Sequence, residues 1–84
     1  MLKLIKIIGS IQSLAWDPNR KFLYSGSNDK TIICWDIGGQ KGITYDLEGH
    51  KDRVQSIIYV PLCRSLVSGS EDNKIVVWVL KYLN

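Results

Sequence analysis

Apolar residues fall along this chain in short runs, and no stretch keeps the 3.6-residue period of an amphipathic helix. Ile11 to Trp16, Lys21 to Ser25, Thr31 to Trp35 and Ile43 to Leu47 are rich in β-branched and aromatic residues. So are Val54 to Tyr59, Ser65 to Val67 and Ile75 to Trp78. Residues 2–8 read the same way, with Lys3 and Lys6 at solvent-tolerant positions. Turn formers separate the runs: Asp17-Pro18-Asn19-Arg20, Gly26 to Lys30, Asp36 to Gly42, Pro61, and Gly69 to Asn73. The pattern predicts a succession of short antiparallel strands and no helix. Several runs are almost continuously apolar, which predicts strands covered on both faces.

A longer regularity overlies the strands. Trp35 and Trp78 stand 43 residues apart, and the same offset carries Asp29 onto Asp72, Ile32 onto Ile75, Leu23 onto Leu66 and Pro18 onto Pro61. Ser25-Gly26-Ser27 falls on Ser68-Gly69-Ser70, and Gln12-Ser13 on Gln55-Ser56, with no gap. A period of about 40–45 residues with Trp closing a β-branched strand resembles the WD repeat, whose four-stranded blades stack radially into β-propellers. The chain is thus read as an all-β, WD-repeat β-propeller fragment of about two four-stranded antiparallel blades. Residues 1–48 form the first repeat and residues 49–84, opened by Gly49-His50, the second, with its last strand incomplete. A closed propeller needs roughly 4–8 blades, so the resemblance implies a piece of a larger ring. The outer faces, carrying Ile11, Leu14, Ile57, Ile75 and Val77, are expected to stay apolar and to favour self-association.

The same resemblance assigns His50, Ser68, Asp72 and Trp78 to a structural relay of hydrogen bonds. The chemistry suits it. A turn carboxylate accepts from imidazole and from backbone N–H groups, imidazole bonds a hydroxyl, and the hydroxyl accepts from an indole N–H. Ser25, Asp29 and Trp35 occupy the matching places in the first repeat. There the offset from His50 lands on Ile7, so that repeat has no imidazole.

Three stretches are similar to a narrower family. Ser25-Gly26-Ser27-Asn28-Asp29, Ile32 to Gly42 with its specific Trp35-Asp36-Ile37-Gly38-Gly39-Gln40-Lys41-Gly42 loop, and Leu47-Glu48-Gly49-His50-Lys51-Asp52-Arg53-Val54-Gln55-Ser56, resemble the last blades of the WD-repeat and FYVE-domain-containing proteins. That resemblance implies a cytosolic adaptor whose propeller carries a zinc-binding FYVE module, which binds phosphatidylinositol 3-phosphate on early endosomes. These residues contain no Cys-x-x-Cys pair, so zinc and direct membrane binding are not carried over to them. The expected role is a protein–protein interaction scaffold, without enzymatic activity or cofactor. Its expected partners are other proteins and the remaining blades of a parent propeller. Its expected location is cytoplasmic, with the early endosome implied by the resemblance alone. The alternatives are a propeller subunit of another complex or enzyme assembly, or a gene fragment without function.

Composition narrows the field further. A formal net charge of +3 is spread over scattered Lys and Arg among Asp and Glu, with no basic stripe for nucleic acid. A hydrophobic share of 45% argues against disorder. No apolar run reaches the ~18 residues of a membrane-spanning helix, and the N-terminal run is broken by lysines and lacks a cleavage site. Cys34 and Cys63 fit no zinc or redox spacing and are expected as buried small hydrophobes. His50, Asp72 and Ser68 could also be drawn as a catalytic triad, but no oxyanion donors or nucleophile turn accompany them. Gly38 to Gly42 lacks the Gly-Lys-Ser/Thr of a phosphate loop. Trp35 and Trp78 are expected to be core, with Trp16 nearer the surface.

Overall fold

A computed structural model of the chain describes residues 10–39 and 42–80. The strand expected over residues 2–8 lies outside the described residues, as do Gln40 and Lys41. Within them the chain forms two antiparallel sheets. Strands β1 (Ile11–Asp17), β2 (Phe22–Ser27), β3 (Thr31–Asp36) and β4 (Gly42–Glu48) make a four-stranded sheet in sequential order. Strands β5 (Val54–Val60), β6 (Ser65–Ser70) and β7 (Ile75–Val79) make a three-stranded one. A 3-10 turn over Pro61–Cys63 joins β5 to β6.

The two sheets repeat their backbone as well as their sequence. The register shifts between Ile11 and Ser13 in β1 and again between Val54 and Ser56 in β5. These are bulges at the equivalent Gln12 and Gln55. Left-handed backbone recurs at Lys21 and Arg64 (φ 58° and 48°) and at Lys30 and Asn73 (φ 78° and 66°). Each pair stands 43 residues apart, so the same turns close the same hairpins.

Register assigns the faces. Ala15, Tyr24, Cys34 and Tyr45 lie abreast on one face of the first sheet, and Trp16, Leu23 and Trp35 on the other. Strand β5 packs against β1 and β2. The core lies between the sheets: Ala15, Tyr24, Ile32 and Cys34 come from the first, Val54, Ile57 and Leu66 from the second, with Leu80 beyond β7. Tyr24 stacks on Tyr59 with ring centroids 6.4 Å apart. Fully burying side chains such as Ile32, Val54 and Leu66 contributes roughly 1.5–3 kcal/mol apiece.

Four expectations need correction. Gly26-Ser27 and Gly69-Ser70 are strand, not turn. The reason at Gly26 is close approach: a Cβ there would lie 2.7 Å from Val54 Cγ1 and 3.0 Å from Ile57 Cδ1. Cys34 is buried as expected, but Cys63 is exposed, because the 3-10 turn carries Leu62 and Cys63 away from the sheets. Ile57, expected on an outer face, is buried against the first sheet. The strands are not covered on both faces: Leu14 and Trp16 on one side, and Ile58, Ile75, Val77 and Val79 on the other, stand open to solvent.

Candidate functional site

The polar residues of the second repeat converge where the chain leaves β4 and where β6 turns into β7. Glu48 ends β4, and Gly49 passes directly under the Trp78 indole. This delivers His50 into the sheet, buried. His50 Nε2 lies 2.7 Å from Ser68 Oγ on β6, and Nδ1 lies 3.1 Å from Asp72 Oδ2 in the following turn. The Trp78 indole N–H donates to the same Ser68 hydroxyl at 2.8 Å. One proton assignment satisfies every atom: Nδ1–H donates to the carboxylate, Nε2 accepts from the Ser68 hydroxyl, and that hydroxyl accepts from indole.

Asp72 is also the hub of its turn. Its carboxylate accepts the backbone N–H of Lys51 at 2.9 Å and that of Lys74 at 2.9 Å. Its own N–H donates to Ser70 Oγ at 3.1 Å. The Lys51 amide, with the His50 and Lys74 hydrogen bonds, lowers the Asp72 carboxyl from the ordinary 3.8 to about 2. The residue therefore joins three separate pieces of chain: the segment before β5, strand β6 through His50, and the start of β7.

In the first repeat the corresponding residues divide into two groups. The Trp35 indole donates to Ser25 Oγ at 2.9 Å, repeating the pair in the second sheet. Asp29 instead accepts from the Thr31 N–H at 3.1 Å and from the Thr31 hydroxyl at 2.6 Å, and its N–H donates to Ser27 Oγ at 3.1 Å. The Thr31 hydroxyl holds its carboxyl below the usual range. Asp29 is thus tied to its own turn and, among the described residues, not to Ser25.

Sequence reading passed over other partners. The Lys51 and Lys74 amides carry no side-chain signal, so only the turn geometry reveals them. Asp17 is buried and accepts the Asn19 and Arg20 amides at 2.9 and 3.3 Å, which the Asp-Pro-Asn-Arg composition could have signalled. Tyr24 and Tyr45 share a hydroxyl–hydroxyl bond of 3.0 Å in the core, and burial raises both phenols, Tyr45 to about 12. Burial likewise raises the Cys34 thiol.

The Asp72–His50–Ser68 order is that of a hydrolase triad, but the access is not. Ser68 is 1% exposed and its oxygen is already engaged by the Trp78 indole. Among the described residues no three His, Cys, Asp or Glu side chains gather as a metal site would require. Trp16 is exposed, as expected, whereas Trp35 and Trp78, expected in the core, are only half-buried, each turning its indole N–H to a buried serine at the edge of that core.

The sequence that builds the two sheets has counterparts among known proteins. A family model described as WD domain, G-beta repeat, matches residues 3–36 and 41–79. The chain belongs to the WD40-repeat family. Relatives include WD repeat and FYVE domain-containing protein 1 of Mus musculus, 57% identical over 49 residues, which cover 58% of this chain and 12% of that protein. WD repeat and FYVE domain-containing protein 2 of Caenorhabditis elegans is 51% identical over 55 residues, 66% of this chain and 13% of that protein. A more distant match is the probable cytosolic iron-sulfur protein assembly protein CIAO1 homolog of Dictyostelium discoideum, 36% identical over 64 residues, 63% of this chain and 19% of that protein. The chain therefore spans a small part of each relative's length. No described helix is long and apolar enough to cross a membrane.

Proposed function

We propose that this WD40 chain is a protein–protein interaction scaffold, in which His50, Ser68, Asp72 and Trp78, with Ser25, Asp29 and Trp35, are framework rather than chemistry. The repeat units are residues 1–48 and 49–84. One observation carries the reading: every polar atom of the His50–Ser68–Trp78 chain is engaged inside the sheet, with Ser68 Oγ shielded from solvent. A hydroxyl that must attack a substrate needs a free approach, whereas a hydroxyl that fixes an indole and an imidazole does not. The arrangement pins β6, β7 and the entry to β5 together and leaves turns and outer faces for contact. Likeness to the WD repeat and FYVE domain-containing proteins supports an adaptor acting at phosphatidylinositol 3-phosphate-rich endosomal membranes. The lipid would be bound by a FYVE module outside these residues, and this segment would meet proteins in the cytoplasm.

Proximity labelling with the full chain as bait tests this. Recovery of endosomal proteins, together with no flotation of the chain alone on phosphatidylinositol 3-phosphate vesicles, is the expected result. A labelled set of iron-sulfur assembly proteins would instead favour a propeller subunit of another complex or enzyme assembly, a reading to which the Dictyostelium relative lends support. Ester hydrolysis abolished by Ser68→Ala would overturn the scaffold reading altogether.

A further inference from the structure

Two hairpins at one end of the sheets are closed by different chemistry. Tyr24 and Tyr59, each close to its turn in sequence, stack on one another, so the β1–β2 and β5–β6 turns stand side by side. The offset of 43 pairs them residue for residue, Asp17-Pro18-Asn19-Arg20-Lys21 with Val60-Pro61-Leu62-Cys63-Arg64. In the first, the Asp17 carboxylate accepts the Asn19 and Arg20 amides. Val60 has no such acceptor, and the second closes as a 3-10 turn, its Arg64 amide donating to the Pro61 carbonyl at 3.2 Å. Leu62, where the first turn has Asn19, is 97% exposed, and Pro61 and Cys63 beside it are exposed too. The fold does not require an apolar residue there, since Asn19 serves the equivalent turn. Nor does the exposure depend on neighbouring repeats: the turn tip projects past the ends of the strands, and blades stack through sheet faces.

We infer that the β5–β6 turn is a docking knob, and that its occupant is a protein with an apolar socket rimmed by carboxylates. This rests on the scaffold reading and names the part of the surface that makes the contact. The knob is held rigid. The Ser65 hydroxyl donates to the Cys63 carbonyl at 3.1 Å and the Leu80 amide to the Arg64 carbonyl at 3.0 Å, and both Ser65 and Leu80 are buried. A leucine presented on a fixed backbone loses little freedom when it seats in a partner. The rim follows from charge. Arg64 follows the knob directly, and Arg20 and Lys21 lie on the adjacent turn. The carboxylates of this end are already engaged: Asp17 is buried under its two amides, and Asp36 accepts the Gly39 amide at 2.7 Å. Lipid is the poorer match. Even one fatty acyl chain holds a protein on a bilayer only marginally, and a single leucine offers much less apolar area.

The test places the photo-crosslinker p-benzoylphenylalanine at position 62 of the full chain, and at position 19 in a second variant, and irradiates both in cells. Position 62 is expected to form an adduct with a protein that position 19 does not capture, and the cross-linked peptide to carry Asp or Glu beside apolar residues. The captured protein, purified, is then titrated with the full chain. Leu62→Asp is expected to weaken binding at least about tenfold, because it carries a charge into an apolar socket. Arg64→Glu is expected to weaken it as well and to reduce its salt dependence. Asn19→Ala should leave it within about twofold. Leu62→Asp should melt like wild type, since the side chain it replaces is exposed, which separates lost contact from lost folding. Binding indifferent to Leu62→Asp overturns the inference, as does the absence of any adduct specific to position 62. Adducts confined to phospholipid, or to a second copy of the chain, overturn it too. Failure here is distinguishable from failure of the scaffold reading. Proximity labelling with Leu62→Asp bait that recovers the wild-type set of proteins removes the knob and leaves the scaffold standing, whereas wild-type bait that labels no protein above background removes both.

Discussion

Gly49 lies so close to the indole of Trp78 that a Cβ on it would come within 2.7 Å of the ring carbon Cη2. The His50 ring stands edge-on to the same indole, with centroids 6.2 Å apart. The two ends of the repeat signature, the Gly-His that opens it and the Trp that closes it, thus touch. Glycine is required by the indole above it, since neither its neighbours nor a left-handed backbone demands it.

Gly49→Ala should therefore act through Trp78. The added methyl must push the indole off its seat, which loosens the N–H bond to Ser68, and overpacking of this kind costs about 1–3 kcal/mol. For a domain of this size each kcal/mol corresponds to a fall in Tm of about 4–8 °C. The same change made in a Trp78→Ala background should cost much less. Equal losses in both backgrounds would show that Gly49 matters for some other reason.

Asp72→Ala should destabilise the fold more than Asp29→Ala. Asp72 joins the His50 ring and the Lys51 and Lys74 amides, whereas Asp29 serves the amide and hydroxyl of Thr31 within one turn. Losing Asp72 strands three groups on two segments of chain, His50 and Lys51 before β5 and Lys74 before β7, and losing Asp29 strands groups within its own turn alone. Urea midpoints of the two variants decide the matter, with the larger drop expected for Asp72→Ala. Indistinguishable midpoints would mean that the imidazole adds nothing.

Much of this arrangement was legible in the sequence, and the reasons for success and failure are physical. The strands around Trp35 and Trp78 follow from β-branched runs between turn formers, and the 43-residue offset fixed which residues are equivalent. The grouping of His50, Ser68, Asp72 and Trp78 was implied by the resemblance to the WD repeat, with which their donors and acceptors are compatible. Gly26 was misplaced because glycine signals both turns and close packing, and only the neighbouring sheet, with Val54 and Ile57, distinguishes them; Gly69 is strand as its equivalent in the repeat. Cys63 was misplaced because a small apolar residue beside an apolar run says nothing about a 3-10 turn. Burial of Ile57 beside exposure of its equivalent Leu14 is a property of which sheet has a neighbour, and no single repeat encodes that.

Stability should carry an acid limb from Asp72. Its folded pKa of about 2 lies below the ordinary 3.8, so folding favours the ionised form. The contribution is present in full above about pH 4 and is lost as pH falls through about 2. Asp72→Asn keeps an acceptor but has no proton to gain, so its midpoint should be lower at pH 7 and vary less between pH 4 and 2. Urea titrations across that range should show the two proteins converging as the pH approaches 2. A constant gap at every pH would assign the acid limb to other carboxylates.

Ser68 and Ser25 offer the sharpest comparison between the repeats, because both accept an indole N–H but only Ser68 also meets an imidazole. Ser68→Ala leaves two buried donors or acceptors without a partner, His50 Nε2 and Trp78 Nε1. It should cost about 1–3 kcal/mol, the usual penalty for a buried polar group left unsatisfied. Ser25→Ala orphans the Trp35 indole alone and should fall at or below the lower end of that range. Trp78→Phe separates the two partners of Ser68: it keeps most of the packing over Gly49 and leaves the His50 bond in place. Its cost should be smaller than that of Ser68→Ala, and the double variant should lose less than the sum of the single ones. Strict additivity in that cycle would mean that Trp78 and Ser68 act independently, and that the shared hydroxyl does not couple β6 to β7.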